Sequence, residues 1–570
     1  MRWAVCSWIL SFVLVANASG GVAVGGEVVA SATAAPGFEL IELVRGAAIH
    51  GANGTYVGPD GHLYVASLFG GELVAIDVDR GEIVRRYGPE DGVLGPDDVT
   101  FGPDGSMYWT DLIPGEVGRR APDGTVTKQF VAPGVNPITF SPDGRLFVGL
   151  CFMGDGLVEL DPELIAPPRP IVVASEENPF PLGFFNAFDF GPDGRLYGPL
   201  YAADMFIGFD VDSCEASSQP WIDCDIRVLA SGFHTPVAAK FDAQGVLHVL
   251  DQWTGELFTV DLETGERTLV AELGQGLDNL AFDATDRLFV TNADDGSVVE
   301  VLADGAVRTL SSGGLILPAG VTVYERNGEA ASLFVADTFR LWEFDAETGG
   351  LVAFTKGSLM GVGMVPPNSV RADGDRLILT SLNLLALQVV DARSSDVLEH
   401  YQMGVPYDAL RLGSDLVVAD LLGGGVLWAS SGAPILPIDE QQVWYPVGLA
   451  TDGERLWVSD WATGIVWQVA FDGASALPAV PVASELANPE GLAFDGAGGL
   501  LVVEAGAGRL SRIDLVTGGI EEIATGLAVG LAPIAGATPA YVVTGVAVDS
   551  GGAIYVTGDV ANVVYRITRR

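Results

Sequence analysis

One phrase recurs along this chain and limits what it can become: a short apolar run, Pro-Asp-Gly or a relative, then a strand of the Leu-Tyr-Val type. The early copies are Val57-Gly58-Pro59-Asp60-Gly61-His62-Leu63-Tyr64-Val65, Phe101-Gly102-Pro103-Asp104-Gly105-Ser106-Met107-Tyr108-Trp109, Phe140-Ser141-Pro142-Asp143-Gly144-Arg145-Leu146-Phe147-Val148 and Phe190-Gly191-Pro192-Asp193-Gly194-Arg195-Leu196-Tyr197. Pro fixes its own φ and Asp-Gly supplies the turn conformations, so the chain reverses between two short strands. Later copies lose the Pro and keep the rhythm: Phe241-Asp242-Ala243-Gln244-Gly245, Phe282-Asp283-Ala284-Thr285-Asp286, Ala372-Asp373-Gly374, Thr451-Asp452-Gly453, Phe494-Asp495-Gly496 and Val548-Asp549-Ser550-Gly551. The period of about 40–50 residues is that of a four-stranded propeller blade, and about twelve copies are present.

The fold expected is therefore all-β. A single ring of about twelve blades would leave a very wide hole, so two tandem propellers of about six blades each are expected. A 570-residue chain with 49% apolar residues has ample material for two cores. The boundaries read from the repeat are residues 38–312 for the first propeller and 313–570 for the second. Phe38-Glu39-Leu40-Ile41-Glu42-Leu43-Val44 reads as an outermost strand arriving before the first full blade, and the last copy stops at its third strand, Val563-Val564-Tyr565-Arg566-Ile567-Thr568. The hairpin signal Asp304-Gly305 gives the sixth blade an outer strand of its own, which points the N-terminal strand to the twelfth.

Residues 1–18 have the form of a secretory signal peptide: Arg2, an apolar run from Ala4 to Ala16, and the small-x-small site Ala16-Asn17-Ala18. Residues 19–37 read as a linker. No later stretch reaches about 18 uninterrupted apolar residues, so a mature protein without a membrane span, secreted or periplasmic, is expected. Cys214 and Cys224 bracket a polar insertion and are placed to staple it in an oxidising compartment, leaving Cys151 as a buried apolar residue. The net charge of −45 repels nucleic acid and attracts divalent cations or basic partners; solubility or salt adaptation also explains it. No Walker-type loop, no paired Cys or His at zinc spacing and no basic aromatic patch is present.

The phrase Asn136-Pro137-Ile138-Thr139-Phe140-Ser141-Pro142-Asp143-Gly144 resembles the Asn-Gly-(apolar)-x-(aromatic)-Ser-Pro-Asp-Gly of the senescence-marker/gluconolactonase group of six-bladed propellers, with the broader NHL-repeat proteins as near relatives. The resemblance covers the first half well and the second half loosely. It implies Ca²⁺ or another divalent cation on the axis, held by side chains four residues before the aromatic position. That offset selects Asn53, Asp97, Asn136, Asn186, Val237 and Asp278, all but one bearing an oxygen. Oxygen ligands with two carboxylates suit a hard cation. Asn and Asp also cap turns where strands begin, with no metal. The family's acidic residue in the first blade is replaced by Asn53, which puts a direct transfer of activity in doubt. The same count in the second half gives Ala319, Asn368, Asp408, Val447, Glu490 and Thr544, a poorer set.

His50 and His234 each lie three residues before a ring position. With a cation present, the chemistry implied is hydrolysis of a lactone or related ester, with Asp278 or Asp97 as the carboxylate beside the water and His234, and by position His50, as auxiliary bases. A non-enzymatic NHL-type module binding a protein or glycan ligand is the alternative. A further resemblance, of Phe101–Gly105 and Glu116–Val126 to blades of streptogramin lyases, implies metal-assisted elimination. The His and Glu cluster of those enzymes has no counterpart at matching positions here.

Overall fold

A computed structural model describes residues 31–570 apart from 215–223, 327–328, 360, 440–442 and 474. The expected signal peptide, residues 1–18, and residues 19–30 lie outside the described residues. The protein is all-β. Among the described residues the only helical turns are the three-residue 3-10 turns Pro89–Asp91, Val211–Ser213 and Ala505–Ala507. The strands form twelve antiparallel sheets, eleven of four strands and one carrying a fifth, Thr33–Ala34, besides one small hairpin. Each sheet is one copy of the repeat, and they are numbered here as blades 1 to 12 in chain order.

The turn chemistry follows the residues. In blade 1, Asp60 Oδ1 accepts the His62 N–H at 3.2 Å and Gly61 takes φ +81, while Tyr64 donates its hydroxyl to Asp60 Oδ2 at 3.0 Å. In blade 6 no glycine is available, and Asp286 itself adopts φ +62 while Asp283 Oδ1 caps Thr285 and Arg287 N–H groups at 2.8 and 3.0 Å. A second device was not read from the sequence. A carboxylate at the end of the second strand reaches back and accepts the N–H groups of the loop leading into the innermost strand. Asp111 does so for Leu94 and Gly95 at 2.8 and 3.0 Å, and Asp460 does so for Trp444 and Tyr445 at 2.7 and 3.0 Å. Many of the chain's buried acids are these clasps, satisfying backbone donors that would otherwise be orphaned.

The chain divides into two compact units. Of the described residues, one comprises 47–314 with 534–537, the other 31–46, 315–533 and 538–570. In the first, apolar clusters join blade 1 to 2, 2 to 3, and onward to blade 6, which returns to blade 1 through Ala281, Phe289, Val298 and Leu310 packed with Ile49, Leu63, Val65 and Val74. In the second, equivalent clusters run from blade 7 to blade 12 and back, with Tyr555 and Val564 packed against Val321, Val335 and Trp342. Each unit is a closed ring of six blades.

The two rings close differently. Phe38–Arg45 pairs antiparallel with Val563–Arg569, Phe38 opposite Arg569 and Leu40 opposite Ile567, and becomes the outermost strand of blade 12. The boundary drawn at residue 38 therefore moves: residues 38–46 belong with residues 315–570, because the last blade has three strands of its own and an unpaired edge. Residues 47–314 are thus inserted between the strand Phe38–Arg45 and the rest of the other ring. At the departure point a Cβ on Gly46 would fall 2.3 Å from the Leu315 carbonyl oxygen, so the crossing admits only glycine. Blade 6 is completed by its own hairpin strand Val307–Ser311, as Asp304-Gly305 implied. Cys214 and Cys224 are bonded, and Cys151 is a buried free thiol.

Candidate functional site

In the ring of residues 47–314 four of the innermost strands, those of blades 2, 3, 5 and 6, carry a bulge where they begin. The register jumps between Pro96 and Asp98, Val135 and Ile138, Pro236 and Ala238, and Leu277 and Leu280. Asp97, Asn136, Val237 and Asp278 fall within these jumps, outside the ladder, where a bulge re-aims the side chain. This is why one phase of the repeat supplies the axial positions.

Asn53, Asp97, Asn136 and Asn186 are all buried, at 8, 6, 6 and 5% exposure. Asn53 donates to the Asp97 carboxyl, and burial, reinforced by the neighbouring Asp98 charge and opposed by that hydrogen bond, pushes Asp97 up to about 7. The Asn53 Oδ1 has no hydrogen-bond partner. Across the next pair, Asn136 Nδ2 donates to Asn186 Oδ1 at 3.3 Å, and the Cys151 thiol lies 4.0 Å from the same oxygen. The four polar residues thus fall into two touching pairs. Asp278 is half-buried, and its charge, with those of Asp294 and Asp251, raises the Tyr201 phenol beyond the effect of burial. Among the described residues no three His, Cys, Asp or Glu side chains converge as a metal cluster. Any ion here would depend on amide oxygens beside Asp97 and Asp278.

The histidines stand apart from these pairs. His234 is exposed, and the loop carrying it is held by its own backbone N–H on Asp251 Oδ2 at 2.7 Å. His50 is half-buried in the loop leading into blade 1, where its carbonyl accepts from Ser67 Oγ at 3.1 Å.

A second layer was missed in the sequence. Three residues beyond Val237, Lys240 brings its charge to Asp98 and Asp189 and donates to the Phe188 carbonyl at 3.3 Å. Asp98 also accepts the Val99 and Ile138 N–H groups at 2.9 and 3.0 Å, and Asp189 those of Phe190 and Phe241 at 2.9 and 3.1 Å. The signal was available: a lysine in an innermost strand of a chain whose lysines are Lys128, Lys240 and Lys356.

The ring of residues 315–570 uses the same positions otherwise. Asn368 Oδ1 accepts the Leu382 N–H at 2.7 Å and its amide donates to Thr380 Oγ1 and the Tyr407 carbonyl at 3.1 and 3.2 Å. Glu490 accepts from Thr544 N–H and Oγ1 at 2.8 and 2.6 Å, and burial pushes it up to about 8. In blade 9 the count of four lands one residue late. The jump there lies between Pro406 and Asp408, so Tyr407 holds the bulge, because the tight turn after Leu412 lengthens the strand by one pair. Asp408 instead matches Asp98, and it is bonded by Ser369 Oγ at 2.6 Å, the Leu449 N–H at 3.0 Å and Arg371 at 2.6 Å. Arg371 also reaches the Leu449 and Leu492 carbonyls at 2.8 and 3.2 Å, so it spans blades 8 to 11.

No family model and no curated protein matches the chain. Among solved structures it is similar to a streptogramin B lyase, with 12% identity over 53% of this chain and 95% of that one and a TM-score of 0.37. It is also similar to a gluconolactonase from Xanthomonas campestris, with 15% identity, 45% and 86% coverage and a TM-score of 0.34. A third likeness is to a protein described as the extracellular domain of a hybrid two component system from B. thetaiotaomicron, with 11% identity, 93% and 82% coverage and a TM-score of 0.30. At these values they carry nothing about chemistry, and the propeller rests on the strand pairing itself.

Proposed function

We propose that residues 47–314 form a divalent-cation-dependent hydrolase of a lactone or related ester, of the lactonase type, in an exported protein. The observation that carries this reading is the Asn53 Oδ1, a buried acceptor without a partner beside the Asp97 carboxyl. A buried unsatisfied acceptor costs about 1–3 kcal/mol, and a hard cation such as Ca²⁺ would satisfy it together with Asp97, Asp278 and the Asn136 and Asn186 amides. When bound, such a cation supplies positive charge that polarises a carbonyl and acidifies a water.

The chain's own groups supply the rest. One carboxylate, Asp97, which burial pushes up to about 7, or the half-buried Asp278, accepts the proton of the attacking water. The water oxygen bonds to the acyl carbon, the ring carbon–oxygen bond breaks, and the departing alkoxide takes up a proton to give the hydroxy acid. His234, exposed in the loop leading into blade 5, exchanges that proton with solvent; His50 holds the equivalent place before blade 1. The Cys214–Cys224 bond supports an oxidising, extracytoplasmic compartment, and among the described residues no helix is long and apolar enough to cross a membrane.

Metal analysis of the purified protein with a lactone panel tests the reading. We expect one tightly held cation per chain, hydrolysis lost on chelation and restored by Ca²⁺, and both lost in Asp97→Asn/Asp278→Asn. Unchanged metal content and turnover in that variant would overturn it. For residues 315–570 the Arg371 crossbar favours a second reading, a ring that binds a protein or glycan ligand without catalysis.

A further inference from the structure

Beside Asn186, two loops present an aromatic cluster whose backbone is strained. Phe152 and Phe184 both take left-handed backbone, at φ +61 and +64, and Ala187, next to the ring residue, takes +29. Bulky side chains rarely adopt this region, and such strain collects where a side chain must be presented in one place. The two rings meet at a centroid distance of 5.5 Å, Phe152 meets Tyr201 edge-on at 5.3 Å, and Phe180 meets Phe184 edge-on at 5.5 Å. Phe152 and Phe180 are half-buried.

The strain is held by a built support. Asp155, 1% exposed, accepts the N–H groups of Leu182, Gly183 and Phe184 at 2.6, 2.8 and 3.1 Å. The cluster is continuous with the axial ring. Cys151, preceding Phe152, touches Asn186 Oδ1 and donates to the Phe185 carbonyl at 3.5 Å, and Phe184 and Tyr201 share one apolar cluster with Cys151, Ala187 and Val237. At its other end Tyr201 donates its hydroxyl to Gln252 Oε1 at 2.9 Å.

We propose that Phe152 and Phe180, the half-buried members of the cluster, determine specificity, receiving an aromatic or long apolar substituent of a neutral lactone or ester whose carbonyl lies at the axial ring, with the buried Phe184 and Tyr201 holding them in place. This rests on the hydrolase reading and names its substrate class. The exposed part of the cluster is aromatic carbon, and its one hydroxyl, on buried Tyr201, is already donated to Gln252, which suits an apolar arm and not the many hydroxyls of a sugar lactone.

The test compares γ-butyrolactone with a phenyl-substituted γ-lactone in wild type, Phe152→Gly and Phe152→Leu. Glycine removes the ring and accepts the left-handed backbone, so Phe152→Gly should raise KM for the phenyl lactone at least tenfold, leave its kcat and the butyrolactone constants unchanged, and keep the melting temperature. Phe152→Leu should lose less. Equal changes with both lactones, or a lower melting temperature with unchanged KM, would overturn the assignment and leave Phe152 as packing. If wild type turns over neither lactone, the hydrolase reading fails, and the aromatic site is decided by calorimetry with the phenyl-substituted lactam. Binding at least tenfold weaker in Phe152→Gly supports the site, and no binding to wild type overturns it.

Discussion

The ring of residues 47–314 and the ring of residues 315–570 are built from the same blade, yet one leaves an acceptor atom at the axial positions unused and the other consumes its own. In the first, Asn53 Oδ1 is unpartnered and Asp97 has one amide donor. In the second, Asn368 and Glu490 are bonded to protein groups, and Arg371 neutralises Asp408 while binding two carbonyls. Lys240 and Arg371 stand at the same phase of the repeat, three residues past Val237 and Asn368. The planar guanidinium satisfies several acceptors at once, whereas the ammonium reaches one carbonyl and leaves Asp98 and Asp189 to Coulombic attraction. A propeller axis is thus a neutral frame, and the residues one and three steps along each strand decide whether it is a cross-braced core or a site.

The largest effect should come from the difference in closure. Deleting residues 31–45 exposes the edge of Val563–Arg569 and should remove stability comparable to that of a whole domain, about 5–15 kcal/mol, from the ring of residues 315–570. Residues 47–314 expressed alone should fold, since every strand of their six blades is local. Denaturant unfolding of the two shortened proteins checks both statements, and a stable truncated chain would break the comparison.

Arg371→Ala should come next. Arg371 and Asp408 are 20 and 6% exposed, so the variant strands a buried carboxylate and two carbonyls, at about 3–5 kcal/mol in equilibrium unfolding. Arg371→Lys should recover part of it.

Glu490→Gln sharpens the contrast through pH. The folded protein holds the Glu490 proton up to about 8, against 4.5 ordinarily, so the unfolded chain releases it first. The contribution of Glu490 to stability is full below pH 4.5 and is lost as pH rises toward 8. Gln cannot ionise and keeps an acceptor for Thr544, so the variant should match wild type at pH 4.5 and be more stable at pH 8, by about 4 kcal/mol at most. Equal stability of the two proteins at both pH values would contradict the burial of this acid.

Lys240→Met should cost least, about 1–2 kcal/mol at pH 8 and less at pH 5. Asp98 sits at about 6 and takes up a proton when its counter-charge is removed. A cost independent of pH would mean that Lys240 acts by packing alone.

The repeat was legible because its turns depend on local chemistry. Asp60, Gly61 and their counterparts do what their residue types dictate, and the twelve blades follow. The axial positions were legible for the same reason, each a fixed count from a turn. That count failed at Asp408, where a tighter turn lengthened the strand, which only the pairing reveals. Asp111, Asp155 and Asp460 were not legible as clasps, because their partners lie on loops some 15–30 residues away and an Asp at a strand end has many uses. Lys240 and Arg371 were passed over because an innermost strand reads as apolar until the ring closes and brings Asp98 and Asp408 to them. The contacts of Phe152 with Phe184 and Tyr201 likewise join separate blades, and no period in the sequence marks them.

Calorimetric titration of Ca²⁺ into the metal-stripped protein tests the central claim most directly. The account predicts one site per chain in wild type and in Arg371→Lys, and its loss in Asp97→Asn/Asp278→Asn. No binding to wild type, or binding untouched by the double substitution, would contradict it.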